Sequence, residues 1–152
     1  MTARGVKPIC SFQQVFQSTY LYGAFSPIDG EHFLLNLPYC NADCFQIFLD
    51  EFSKTKPQEL KVVVLDNGAF HKAKKLKIPE NTILIFLPPY SPELNPAEKM
   101  WQKFKRSFSN KVFKTLQEVE DFICNQVKAT TKESTKSICS YQYIFLNNYW
   151  SL

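Results

Sequence analysis

The chain has 152 residues, 45% of them hydrophobic, and 18 Lys and Arg against 14 Asp and Glu give it a formal charge of +4. That length leaves room for one domain with a sizeable core. It contains no run of 18 apolar residues, which excludes a membrane-spanning helix. The mild basicity, with a pI near 8.7, is compatible with nucleic acid but does not require it. The opening MTARGVKPICSFQQ lacks the apolar core of a secretion signal. Cys10, Cys40, Cys44, Cys124 and Cys139 are odd in number and lack paired zinc spacing, so they read as reduced thiols in a cytoplasmic protein.

Residues 1–16 give no firm element. TYLYGAF (Thr19 to Phe25) and the stretch from Glu31 to Leu37 read as two strands of a hairpin, with Asp29 and Gly30 at its tip. Asp29 is read there as a turn residue and not as a site carboxylate. Asn41 caps a helix to about Lys54, with Phe45, Phe48, Leu49 and Phe52 on one stripe. Cys40 and Cys44 bracket its start and are read as packing.

Leu60 and Val62 to Leu65 form a β-branched run with the look of a strand buried on both faces. It ends at Asp66, followed by Asn67 and Gly68. The crossover from Asn67 to Asn81 is long enough to make the next strand, Ile83 to Leu87, parallel to the first. His71 is expected to start a short basic helix carrying Lys72, Lys74, Lys75 and Lys77, either a solvated face or a phosphate-contacting patch.

After Pro88 and Pro89, Asn95 is the expected cap of a helix with Pro96 first and Glu98 third, running to about Ser107. Ala97, Trp101, Phe104 and Phe108 make its core stripe, and Lys99, Lys103 and Arg106 another face, a DNA-backbone contact surface. Thr115 and Glu118 form a capping box for a helix through about Val127. Residues 128–136 read as polar loop, and the apolar tail SICSYQYIFLNNYWSL as packing in an undetermined form.

Two acids then stand out. Asp66 closes a strand and Glu98 opens a helix, 32 positions apart. Each has a local reading, Asp66 as a turn former and Glu98 as a capping-box partner. Each also sits where open α/β sheets place ligand chemistry.

The strings VLDNGAFH and LPPYSPELNPAEKMW resemble the second and third acidic motifs of DDE-type transposases, in the insertion-sequence branch of the mariner-like superfamily. Looser similarity runs from about Arg4 to Val127. The resemblance implies an α/β, ribonuclease H-like fold, a mixed sheet flanked by helices. It implies that Asp66 and Glu98 hold Mg²⁺ or Mn²⁺ for DNA strand cleavage and transfer, two ions lying roughly 3.5–4 Å apart in such sites. Asn67, His71 and Asn95 would shape the site, and Lys72, Lys75, Lys99, Lys103 and Arg106 would meet DNA.

The family's first aspartate lies on a central strand upstream, and nothing before Thr19 is Asp or Glu. The chain is therefore expected to be a truncated catalytic domain over 1–127 with a tail over 128–152, lacking that strand and inactive alone. Its expected partners are transposon-end and target DNA and an upstream transposase fragment or a second copy. The competing reading is a non-catalytic remnant that binds DNA or a partner.

Overall fold

The structure is a computed structural model and describes residues 18–141. Expectations that fall on residues 1–17 and 142–152 lie outside it. The first unit is the hairpin. Strands β1 (Tyr20–Phe25) and β2 (His32–Leu37) pair antiparallel, from Tyr20 opposite Leu37 to Phe25 opposite His32. Asp29 is a turn residue, as expected: its Oδ1 accepts from the Glu31 N–H at 3.0 Å.

Two-residue periodicity gives the hairpin two working faces. Tyr22, Ala24, Phe33, Leu35 and Leu37 lie against helix α1 (Ala42–Lys54), whose Phe45, Phe48 and Leu49 are buried. Phe25 and Leu34, on the opposite face, meet Met100, Trp101 and Phe104 of helix α2 (Ala97–Phe108). Asn41 caps α1 as expected, its Oδ1 accepting from the Cys44 N–H at 2.9 Å. Cys44 is buried, whereas Cys40 is exposed.

Strands β3 (Lys61–Leu65) and β4 (Thr82–Phe86) are parallel, Lys61 opposite Thr82 and Leu65 opposite Phe86. Val63, Leu65 and Leu84 lie against α1. The expectation of burial on both faces fails: Val62, Val64, Ile83 and Ile85 are 37%, 39%, 46% and 46% exposed. The reason is that α1 covers one face only, and α2 lies over the hairpin. Among the described residues the two pairs form separate sheets with no backbone ladder between them.

The crossover also differs from expectation. Helical structure stops after a single 3-10 turn, Ala69–Lys72. Beyond it Lys74 and Lys75 lie in a turn, the Leu76 N–H donating to the Ala73 carbonyl at 3.0 Å. Helix α1 holds the segment: Gln46 Oε1 accepts from the Lys77 N–H, Gln46 Nε2 donates to the Lys77 carbonyl, both at 2.8 Å, and Lys75 pairs with Asp43. Those tertiary bonds outcompete a helix whose run of lysines repels itself.

Helix α3 (Leu116–Lys128) starts on the expected capping residues, with Thr115 Oγ1 accepting from the Glu118 N–H. Glu118 reaches back to the Lys114 N–H, one residue earlier than the usual box. Helix α4 (Lys132–Cys139), capped by Thr131, begins in the segment expected as polar loop and ends in the apolar tail expected to pack. Its buried Thr135 and Cys139 lie four apart on one side. A hydroxyl and a thiol do not register as an apolar stripe, which is why the sequence pattern hides this helix.

The α2 stripe is shifted from its expected register. Met100, not Ala97, lies at its centre beside Phe104.

Among the described residues the exposed apolar face of β3 and β4 lies beside a strand edge with no ladder partner, an arrangement that favours association. The chain should therefore associate at micromolar concentration, and Val64→Lys should reduce association while changing stability by no more than about 0.5 kcal/mol. Sedimentation velocity and urea melts measure both. A wild-type monomer whose sedimentation Val64→Lys leaves unchanged would refute the idea.

Candidate functional site

The site begins where β3 runs out. Leu65 is buried and anchors the strand end, so Asp66 leaves the sheet at a fixed point, its side chain 60% exposed. Asp66 Oδ1 accepts from the Gly68 N–H at 3.1 Å and lies 2.8 Å from His71 Nδ1. A carboxylate only accepts, so that nitrogen carries the proton. The 3-10 turn swings His71 back over Asp66, its N–H donating to the Gly68 carbonyl at 3.0 Å. The imidazole is itself clamped, with ring centroids 4.1 Å from Phe70 and 4.7 Å from Phe45. Its side chain is only 15% exposed. Gly68 makes room for this pair: a Cβ there would lie 3.1 Å from His71 Nδ1 and 3.2 Å from Asp66 Oδ1.

Asn67 performs a different task. Its Nδ2 donates to the Leu87 carbonyl, while the Leu87 N–H donates to the Leu65 carbonyl at 2.9 Å. The ends of both parallel strands are thereby tied together. Between them lies a cavity of about 260 Å³, lined by residues 66–68 and 87–92.

The loop past β4 makes a 3-10 turn, Pro92–Leu94, and delivers the chain to α2. Asn95 Oδ1 accepts from the Ala97 N–H at 3.0 Å, as a cap should, and Pro96 already has helical dihedrals. The Asn95 N–H donates to the Pro92 carbonyl at 3.0 Å. That bond takes the partner a capping-box Glu98 would need, so the local reading of Glu98 loses its main support. Glu98 is half-buried on the first turn of α2 and is not among the residues lining the cavity.

The cations are placed unevenly. Lys75 pairs with Asp43 at 2.6 Å, and Lys103 donates to Ser134 Oγ at 2.8 Å. Lys72 lies over the Phe86 ring at 5.1 Å and Lys99 over the Tyr141 ring at 4.4 Å, while Arg106 is exposed on α2. Two residues that build the site are not apparent as such from sequence, Gly68 and Phe45. Gly68 has a signal in its place two residues after a strand-end acid. Phe45 carries none, because a core phenylalanine and a histidine clamp look alike in sequence.

Asp66 thus follows the end of β3, and Glu98 stands at the start of α2, beyond the loop that follows β4. A family model described as DDE superfamily endonuclease matches residues 3–120. The chain belongs to that family. Among curated proteins it is similar to the uncharacterized protein y4pE/y4sA of Sinorhizobium fredii (strain NBRC 101917 / NGR234), 38% identical over 107 residues, covering 69% of this chain and 79% of that protein. Among solved structures it is similar to the Mos1 transposase paired-end complex with left transposon end, with a TM-score of 0.67 at 15% identity. That likeness covers 91% of this chain and establishes its fold as ribonuclease H-like. The chain spans 45% of the length of the Mos1 chain.

The start of the Glu98 helix is pinned by α4: the Cys139 thiol donates to the Pro96 carbonyl at 3.7 Å. Burial pushes that thiol up from 9.0 to about 11. A folded value above the unfolded one means that the contribution is complete below pH 9.0 and is lost as pH rises toward about 11. The predicted loss is on the order of 1–3 kcal/mol. It should be smaller in Cys139→Val than in wild type, as read from urea midpoints at about pH 8 and pH 10.5. Equal pH slopes for the two proteins would refute it.

Proposed function

We propose that this chain is the catalytic portion of a transposase, serving metal-dependent DNA strand cleavage and strand transfer, with Asp66 and Glu98 as metal ligands. The observation that carries this is the orientation of Asp66. A solvent-facing carboxylate, just past the buried Leu65 at the end of β3, is held by a histidine and a backbone N–H through one oxygen, Oδ1. Supporting bonds of that kind fix the direction of a metal ligand. Hard oxygen donors suit Mg²⁺ or Mn²⁺, and the DDE family supplies the reaction class.

The donor set is incomplete. Among the described residues no three His, Cys, Asp or Glu stand together so as to hold an ion. A third carboxylate would have to come from another polypeptide segment. An upstream transposase fragment is the partner best suited to supply it, since a strand added beside β3 would end near Asp66. A second copy of the chain is the other candidate. The proposed place of action is the cytoplasm. Among the described residues no helix is long and apolar enough to cross a membrane.

DNA is the proposed substrate, both transposon ends and target. Lys72, Lys99 and Arg106 would meet its phosphates with least rearrangement. Lys75 would exchange its partner at little cost, because its ion pair with Asp43 is solvated on both sides and such pairs are worth about 0–1 kcal/mol. Lys103 would have to leave Ser134. Asn67 and Asn95 hold the two loop ends that frame the site. The non-catalytic reading, binding of DNA or a partner without cleavage, keeps the incomplete donor set in its favour.

Metal binding separates the two. Mn²⁺ should bind wild-type chain weakly by calorimetry. Asp66→Asn and Glu98→Gln should abolish binding, and His71→Ala should weaken it roughly 10-fold. The isolated chain should nick supercoiled plasmid in Mg²⁺ poorly or not at all, because misplaced ligands cost catalysis heavily. Mn²⁺ binding indifferent to both carboxylates would end the metal-site reading. Strong nicking abolished by Glu98→Ala would instead show that the donor set is complete.

A further inference from the structure

Tyr90 breaks two local rules at once. Its backbone sits at φ +58, a left-handed conformation that glycine or asparagine adopts at lower cost. Its ring is fully exposed, so the side chain gains no burial in return. Positions that violate both rules together are where function is to be sought.

The frame around Tyr90 is stiff. Pro88, Pro89 and Pro92 each fix a backbone torsion. Ser91 Oγ donates to the Pro89 carbonyl at 3.3 Å, and the Leu94 N–H donates to the Ser91 carbonyl at 3.1 Å. Asn67 holds the other end of the loop through Leu87. The ring is therefore presented to solvent by a rigid loop and does not hang from a flexible one.

The place where it is presented matters. Tyr90 lines the same cavity of about 260 Å³ as Asp66, and much of the remaining wall is proline and leucine. A flat aromatic surface beside apolar walls, sharing a cavity with a carboxylate suited to phosphodiester chemistry, matches a nucleobase and not a second phosphate. Lys72 adds a cation over Phe86, on the strand leading into the loop. Aromatic faces combined with nearby cations are how proteins hold unpaired nucleic acid without reading its sequence.

We propose that Tyr90 stacks on an unpaired nucleobase next to the phosphodiester presented to Asp66. It acts as a positioning residue that holds the DNA strand open at the site. The inference rests on the DNA reading given under Proposed function. It adds a specific demand: the preferred DNA has at least one unstacked base.

The test uses the full chain and a duplex oligonucleotide carrying one unpaired 2-aminopurine, with a fully paired duplex as control. Anisotropy reports binding and 2-aminopurine fluorescence reports stacking. Wild type and Tyr90→Phe should bind the unpaired probe and quench it. Tyr90→Ala and Tyr90→Gly should lose the quench and bind that probe roughly 5- to 150-fold more weakly, while binding the paired duplex as wild type does. Glycine relieves the left-handed backbone, so Tyr90→Gly should melt no lower than wild type, and a loss of stacking in that variant is not a loss of fold. If wild type binds neither duplex, the DNA reading and this inference fall together. If wild type binds DNA but Tyr90→Gly quenches and binds the unpaired probe equally well, only the Tyr90 inference falls.

Discussion

One helix face organises this molecule. Phe45, Phe48 and Leu49 of α1 are buried, and both sheets rest on them. The hairpin reaches this face through Tyr22 and Phe33, whose rings lie 5.7 Å and 5.6 Å from Phe48. The parallel pair reaches it through Val63, Leu65 and Leu84. Because no backbone ladder joins the two sheets among the described residues, this shared apolar contact is a principal bond between them. Burial of each such side chain contributes about 1.5–3 kcal/mol, which makes the face a large part of what a small domain has to spare.

The same face also builds the site. Phe45 closes on the His71 ring, and His71 in turn holds Asp66. Asp43 and Gln46, one turn apart on the same helix, tie down Lys75 and Lys77 and so hold the crossover that carries His71. The carboxylate is thus located by a chain of contacts running from the core outward, and its side chain stays exposed. Glu98 is located separately, by the Asn95 cap and by α4 pressing Cys139 against Pro96. The link between the two acids is the loop of residues 87–96, fastened at one end by Asn67 and at the other by Asn95.

The parallel pair shows what α1 alone cannot do. One face of β3 and β4 is covered and the other presents Val62, Val64, Ile83 and Ile85 to solvent. The hairpin has no such deficit, because α2 covers its second face with Trp101 and Phe104. An apolar sheet face next to an edge that is unpaired among the described residues has the chemistry of an interface.

What the amino-acid order determined by itself was every feature set by neighbours in sequence. The hairpin, the Asn41 and Thr115 caps, the α1 stripe and the parallel crossover follow from two- and four-residue periodicities and from side chains that bond a few residues away. The acidic motifs were legible for the same reason, since each is a contiguous string. Tertiary structure decided whatever depended on distant partners. Lys75 and Lys77 lie outside any helix because Asp43 and Gln46 hold them from 32 and 31 positions away. Helix α4 exists where polar residues suggested loop because Thr135 and Cys139 find a dry surface near α2 and the hairpin. Whether Val62 and Val64 are buried turned on which sheet α2 lay across. A strand's own residues state that they favour burial, but only the fold states what is there to bury them.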